Sequence, residues 1–182
     1  MMNIFLVGPM GAGKTVCGQE LARRLALKFV DLDRVLESAE GRTINEIFEE
    51  RGETYFRARE KHIFREIASG GGQVVATGGG TVIDPDNRTL ARKAGVMVYL
   101  KAELDSLWER VKDARDRPLL AVEDPKALFA ELVHARRPFY EEATVTVVTD
   151  GKAPAQIVQE ILKALGLADA ARTQIPEIGR TP

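Results

Sequence analysis

Residues 8–15 read Gly8-Pro9-Met10-Gly11-Ala12-Gly13-Lys14-Thr15, the G-x-x-x-x-G-K-[ST] pattern of a phosphate-binding loop. The flanking sequence supplies the setting this pattern needs. Asn3-Ile4-Phe5-Leu6-Val7 is an apolar run of strand length, and Val16 to Leu27 reads as a helix with Cys17, Leu21 and Leu25 stacked at i,i+4. Gly8, Gly11 and Gly13 carry no side chain and can take φ > 0, so backbone N–H groups can converge on phosphate oxygens. The helix N-terminus adds a partial positive charge. Lys14 supplies a point charge for β- and γ-phosphates, and the Thr15 hydroxyl can ligate Mg²⁺, a hard cation that prefers oxygen. The plainer alternative is a tight strand-to-helix turn with a solvated lysine. The loop specifies a nucleoside triphosphate and leaves the phosphate acceptor open.

Bulk properties narrow the class. The chain has 182 residues, the length of one ordinary domain, and 45% hydrophobic content, enough to fill a core. A charged fraction of 29% excludes a membrane protein, and a net charge of -1 gives no electrostatic case for nucleic-acid binding. Cys17 is the only cysteine, so no internal disulfide is possible and a reducing compartment fits. No signal peptide is expected, and the sequence has no run of about 20 apolar residues. A soluble, cytoplasmic monomer is expected, with one domain over 1–167 and a disordered tail over 168–182.

Further along, Phe29 and Val30 suggest a short strand ending at Asp31-Leu32-Asp33. Carboxyl ends of parallel strands face the ligand crevice, which would bring Asp31 and Asp33 near the phosphate loop. A turn capping a helix over Arg34 to Glu40 explains the same residues. Thr43-Ile44-Asn45-Glu46 is a capping box, and Gly52 breaks the helix it starts. Glu53 to Ser69 forms the next helix, on the apolar stripe Phe56, Ile63, Phe64 and Ile67. Arg57 and Glu60 can pair at i,i+3, and a solvated helix face is the simpler account of that charge cluster.

Gln73 to Thr77 reads as a buried strand followed by Gly78-Gly79-Gly80. In many phosphate-loop enzymes this strand ends in a magnesium-side Asp. Here it ends in Thr77, which makes Asp31 the nearest carboxylate candidate. Asp84-Pro85 and Asp124-Pro125 each pair a helix cap with an N1 proline. Val96 to Leu100 and Thr144 to Thr149 are two more strands. Leu104, Leu107, Trp108 and Val111 mark an amphipathic helix, and Pro154 to Leu165 is the last helix. The helix after Pro125 is expected to end near Arg136 to Tyr140, because of Pro138. Lys112 to Glu123, bearing Arg115 and Arg117, lacks a clean period and reads as a lid over the phosphates at about 112–124, or else as a surface loop. Strands alternating with helices predict a three-layer α/β/α sandwich on a five-stranded parallel sheet.

Taken together, the loop, the D-L-D pair, G-E-T-Y-F-R-A-R-E (Gly52 to Glu60), T-G-G-G (Thr77 to Gly80), R-P-L-L (Arg117 to Leu120) and R-R-P-F-Y (Arg136 to Tyr140) resemble the shikimate kinase family, from Asn3 to Leu167. The resemblance implies a P-loop kinase of the nucleoside monophosphate kinase type with sheet order 2-3-1-4-5. The implied reaction is ATP-dependent phosphorylation of the shikimate 3-hydroxyl, a step towards aromatic amino acids. Gly11, Ala12, Gly13, Lys14, Thr15 and Val16 would bind ATP, with Arg110 near the adenine. Mg²⁺ would sit at Thr15 and Asp31. Asp33 would accept hydrogen bonds from shikimate hydroxyls, Arg57 and Arg136 would clamp its carboxylate, and Gly79 and Gly80 would let backbone approach the ring. Lys14, Asp33 and Arg117 would be catalytic. Lys152 and Ala153 stand where the family often has a basic adenine contact.

Chemistry agrees with this assignment. An ionised Asp only accepts hydrogen bonds, which suits hydroxyls, and an arginine fork binds a carboxylate bidentately. A gluconate-type sugar-acid kinase shares the fold and the need for a carboxylated polyol. A GTP-binding switch would need an N-K-x-D stretch, which the chain lacks.

Overall fold

The computed structural model describes residues 2–112 and 123–168. Five strands, β1 (Asn3–Val7), β2 (Lys28–Asp31), β3 (Gln73–Ala76), β4 (Gly95–Lys101) and β5 (Val145–Val148), form one sheet in the order β2-β3-β1-β4-β5. Every pairing is parallel, with Phe5 opposite Val75 on one side and opposite Met97 on the other. The helices are α1 (Lys14–Leu25), α2 (Leu32–Glu40), α3 (Ile44–Ser69), α4 (Pro85–Ala94), α5 (Leu104–Val111), α6 (Pro125–Glu141) and α7 (Pro154–Ala164). The expected fold class and strand order are both observed.

The central strand explains the layering. Side chains alternate faces along a strand. Ile4 and Leu6 join a core with Leu21, Leu107 and Ile161 from α1, α5 and α7, whereas Phe5 and Val7 join one with Leu36, Phe64 and Ala91 from α2, α3 and α4. Both faces are covered, so β1 is buried throughout and, from Ile4 to Val7, apolar rather than alternating. The helix α6 serves both cores, through Phe129 on one face and Tyr140 on the other. Trp108, partly buried, packs against this core through Phe129. At the start of β1, the buried Asn3 amide donates to Gly70 O at 2.9 Å and accepts from Gln73 N at 3.2 Å, which pins the Gly70 to Gly72 loop.

Several boundaries differ from expectation. α1 begins at Lys14 instead of Val16, because Gly13 (φ 90) turns directly into the helix, and it stops at Leu25, where Ala26 takes φ 51. α2 begins at Leu32 with Asp31 as its cap, so Asp33 lies in its first turn. The break at Gly52 is present as a kink (φ 76, ψ 171) within α3. α6 runs through Pro138 to Glu141. Proline costs it one backbone bond, to the carbonyl four residues back, but buried Arg136 and Tyr140 on either side hold the helix together. A short 3-10 turn, Thr81–Ile83, follows the glycines and was not anticipated. Residues 113–122, most of the expected lid, and 169–182, nearly all of the expected tail, lie outside the described residues. No described helix is long and apolar enough to cross a membrane.

Gly95 pairs with Asn3, and a Cβ there would lie 2.0 Å from Asn3 O, so β1 and β4 would have to part. Gly95→Ala should lower the unfolding free energy by about 1–3 kcal/mol, the usual range for overpacking. A urea melt with an unchanged midpoint would contradict this.

Candidate active site

The phosphate loop joins β1 to α1. Gly8, Gly11 and Gly13 take φ of 141, 80 and 90. Gly11 also needs its missing side chain for packing, since a Cβ would meet Val111 Cγ1 at 2.9 Å and Leu107 O at 3.1 Å. The loop is thus fixed against α5. α1 has no side-chain cap at Gly13 and no acidic residue in its first turn, which leaves its N-terminal amides suited to an anion. Lys14 Nζ donates to Gly8 O at 2.9 Å and Pro9 O at 2.8 Å, folding back over the loop. Arg110 Nη1 donates to Gly11 O at 3.1 Å, which places this guanidinium at the phosphate loop itself. Ala12 is buried and Val16 is 54% exposed beside the loop. Burial pushes the Cys17 thiol up to about 11, so it stays protonated and inert.

The Thr15 hydroxyl donates to Asp31 Oδ2 at 2.8 Å. The two residues singled out for a cation therefore meet. Their donors are hard oxygens, and no group of three or more His, Cys, Asp or Glu able to hold a metal occurs among the described residues. Such a site fits Mg²⁺ shared with phosphate oxygens better than a cation caged by protein alone.

Next to the loop lies a cavity of about 420 Å³, lined by Met10, Thr15, Asp31, Asp33, Arg57 and Arg136 together with Phe48, Phe56, Glu60 and the three glycines. Asp33 comes from the first turn of α2, Arg57 from α3 just beyond its kink, and Arg136 from α6. Three distant stretches thus converge as expected. The glycines allow it. A Cβ on Gly78 would lie 2.8 Å from both Asp33 Oδ1 and Glu60 Oε1, and one on Gly80 would lie 2.4 Å from Arg57 Nη1.

Glu60 was expected on a solvated face, yet it is only 2% exposed. It accepts from Arg57 Nη1 at 2.8 Å and from Thr81 Oγ1 at 2.7 Å. Glu53 holds the other edge of the guanidinium at 3.2 Å, and the Phe56 ring lies 5.0 Å from Cζ. Burial, the largest influence, pushes the Arg57 pKa down, but Glu60 and Glu53 outweigh it and the value stands above the ordinary one. Arg136 is 8% exposed. Tyr140 OH donates to Gly79 O at 2.5 Å, and burial pushes its pKa up to about 12, so the phenol keeps its proton at any working pH. Sequence reading missed Thr81 and Tyr140. The only hint of Tyr140 was its place in R-R-P-F-Y, where Pro138 had suggested a helix end. Arg117 lies outside the described residues.

A phosphate loop facing a cavity of carboxylates and arginines, on a sheet of this order, defines a P-loop phosphotransferase of the nucleoside monophosphate kinase type. Residues 10–166 match the family model "Shikimate kinase", and the chain belongs to the shikimate kinase family. It is 44% identical over 167 residues to a shikimate kinase of Symbiobacterium thermophilum, covering 90% of this chain and 96% of that protein. A shikimate kinase of Cupriavidus pinatubonensis is 45% identical over 167 residues, covering 91% and 87%. Among solved structures, shikimate kinase from Acinetobacter baumannii in complex with shikimate superposes with a TM-score of 0.88 at 40% identity, covering 93% of this chain and 94% of that one. A gluconokinase from Sinorhizobium meliloti, at 22% identity and a TM-score of 0.56, shares the fold alone.

Two neighbouring glycines separate packing from ligand approach. A Cβ on Gly79 meets nothing nearer than 3.6 Å, whereas one on Gly80 displaces Arg57. Gly79→Ala should change stability by no more than about 0.5 kcal/mol. Gly80→Ala should cost about 1–3 kcal/mol, and its crystal structure should show the Arg57–Glu60 pair broken. An intact pair would disprove the packing argument.

Proposed function

We propose that this chain transfers the γ-phosphoryl group of ATP to the 3-hydroxyl of shikimate, giving shikimate 3-phosphate and ADP. One observation carries the reading: the phosphate loop, the Thr15–Asp31 pair, a carboxylate and two arginines share a single cavity. A bond forms between the hydroxyl oxygen and the γ-phosphorus as the bond to the β–γ bridging oxygen breaks, ADP leaves, and the hydroxyl proton is released, with the Asp33 carboxylate placed to receive it. Such transfer needs positioning and charge neutralisation more than covalent help.

The roles follow from what each residue offers. Residues Gly11 to Val16 hold the triphosphate on the loop amides and the α1 terminus. Lys14 exchanges its two loop carbonyls for phosphate oxygens and stabilises charge on the group in flight. Thr15 and Asp31 would hold Mg²⁺, which would supply positive charge to neutralise the phosphates. Arg110, already on Gly11 O, borders the nucleotide. Asp33 accepts hydrogen bonds from ring hydroxyls and orients the one that attacks. Arg57 and Arg136 take the carboxylate at the far end, and Gly79 and Gly80 leave room for the ring. From the resemblance, Arg117 adds a further charge at the phosphates.

Purified chain with Mg-ATP, offered shikimate, gluconate, AMP or no acceptor, should release ADP only with shikimate. Equal release with gluconate would sink the reading. Within it, Arg57→Lys keeps the charge but loses the fork. It should cost about 2–3 kcal/mol in shikimate binding, at the low end of the range because the side chain is 28% exposed. The effect should appear as a raised KM for shikimate with ATP binding nearly intact. A shikimate analogue with a neutral amide in place of the carboxylate should lose much less on mutation. Equal losses for both ligands would make Arg57 structural.

A further inference from the structure

We infer that Arg88, which does not touch the cavity, is a positioning residue that sets the gap between the glycine turn and Arg136; this rests on the acceptor reading above. Neither Arg88 nor its side-chain partners Phe139 and Glu142 line the cavity. The side chain of Arg88 lies in α4 and is 13% exposed. Its Nη1 donates to Val82 O and to Ile83 O, each at 2.8 Å. Its Nε donates to Glu142 Oε2 at 3.0 Å, and its Cζ stands 4.8 Å from the centre of the Phe139 ring. One guanidinium therefore grips the 3-10 turn that ends T-G-G-G and the C-terminal end of α6 together.

The chemistry suits arginine. Carbonyls at the end of a short 3-10 turn lack partners within it. Asn87 Nδ2 takes that of Thr81 at 2.9 Å, and Arg88 takes those of Val82 and Ile83. A planar fork can satisfy two carbonyls, a carboxylate and a ring face at once, which an ammonium cannot. The opposite anchor also needs the help. Pro138 removes the backbone bond that would tie the last turn of α6 to His134. That turn carries Phe139 and Tyr140, which neighbour Arg136 at i+3 and i+4.

Among the described residues, two hydrogen-bonded fastenings hold α6 to the glycine turn: Tyr140 OH on Gly79 O from the cavity side, and Arg88 from outside, where Arg92 of α4 also reaches Glu142 Oε2. Between them they fix how far Arg136 stands from Gly79 and Gly80. A ligand spanning that gap senses the fastening, whereas a nucleotide on the phosphate loop does not.

Steady-state kinetics on the full chain test this. Arg88→Ala should raise the KM for shikimate roughly tenfold, below the about 10²-fold that a 1 Å misplacement can cost. The KM for Mg-ATP should stay within about twofold, since no uniform binding to nucleotide is removed. Arg88→Lys should recover part of the loss, and it decides the matter by the same readout if the alanine variant does not fold. Combined with Tyr140→Phe, the effect on shikimate KM should depart from the product of the single changes, because both fastenings hold one gap. An unchanged shikimate KM, or equal rises for both substrates, would overturn the proposal and leave Arg88 a stabilising residue only. Wild-type ADP release with shikimate, run alongside, tests the acceptor reading separately.

Discussion

A carboxylate cannot remain ionised in a protein interior without partners, and Glu60 is such a carboxylate. Arg57 and Thr81 satisfy it from opposite sides. The requirement organises the acceptor half of the site. It draws the Arg57 guanidinium off the α3 surface towards the cavity, and it fastens the residue after T-G-G-G to the same helix. Glycine at 78 and 80 is the steric corollary, because a Cβ at either would occupy the space of the Glu60 or Arg57 side chain. Removing one partner of this pair should be worse than never having built it, since the survivor is left charged and poorly solvated.

The donor half depends on strand order. β3 and β2 lie successively beside β1, so the chain leaving each strand emerges at one edge of the sheet. The phosphate loop, the glycine turn and Asp31 are those exits. Thr77 N and Oγ1 both bond to Leu6 O, at 3.1 and 3.0 Å, which locks the glycine turn to the strand that feeds the loop. Thr15 and Asp31 then close the third side. Thr77 thus explains the missing magnesium-side Asp. Its position serves strand-to-strand geometry, and the carboxylate proposed for that role, Asp31, stands at the end of the next strand over.

Much of this was legible because local patterns carry it. Capping boxes, Asp-Pro starts and glycine stops fixed most helix limits, and apolar runs fixed the strands. Where reading failed, a non-local contact decided the outcome. Pro138 argued for a helix end, but the burial of Arg136 and Tyr140 overrode one lost hydrogen bond. Glu60 looked solvated on the 3.6-residue period of its helix, and its other partner, Thr81, lies 21 residues on. The convergence of Asp33, Arg57 and Arg136 was legible only through the resemblance. Without it, topology placed the aspartates near the phosphate loop with a helix cap as the alternative, and spacing left Arg57 as half of a surface pair. Both plain readings are also true: Asp31 does cap α2, and Arg57 does pair with Glu60.

That double duty bears on how the site treats charge before a ligand arrives. Lys14 rests on two loop carbonyls, Arg57 on two glutamates and the Thr15 hydroxyl on Asp31. Each of these groups is held in place, so little side-chain entropy remains to be lost on binding. The resting partners differ in kind. The two loop carbonyls on Lys14 are neutral and hold an ammonium more weakly than phosphate oxygens would. Glu60 and Glu53 engage both edges of the Arg57 guanidinium, so under the proposed function an acceptor carboxylate would have to compete with the longer Glu53 contacts for part of the fork. On that proposal Arg136 would supply much of the remaining attraction, and the spacing between α6 and the glycine turn would matter to the acceptor more than to the nucleotide.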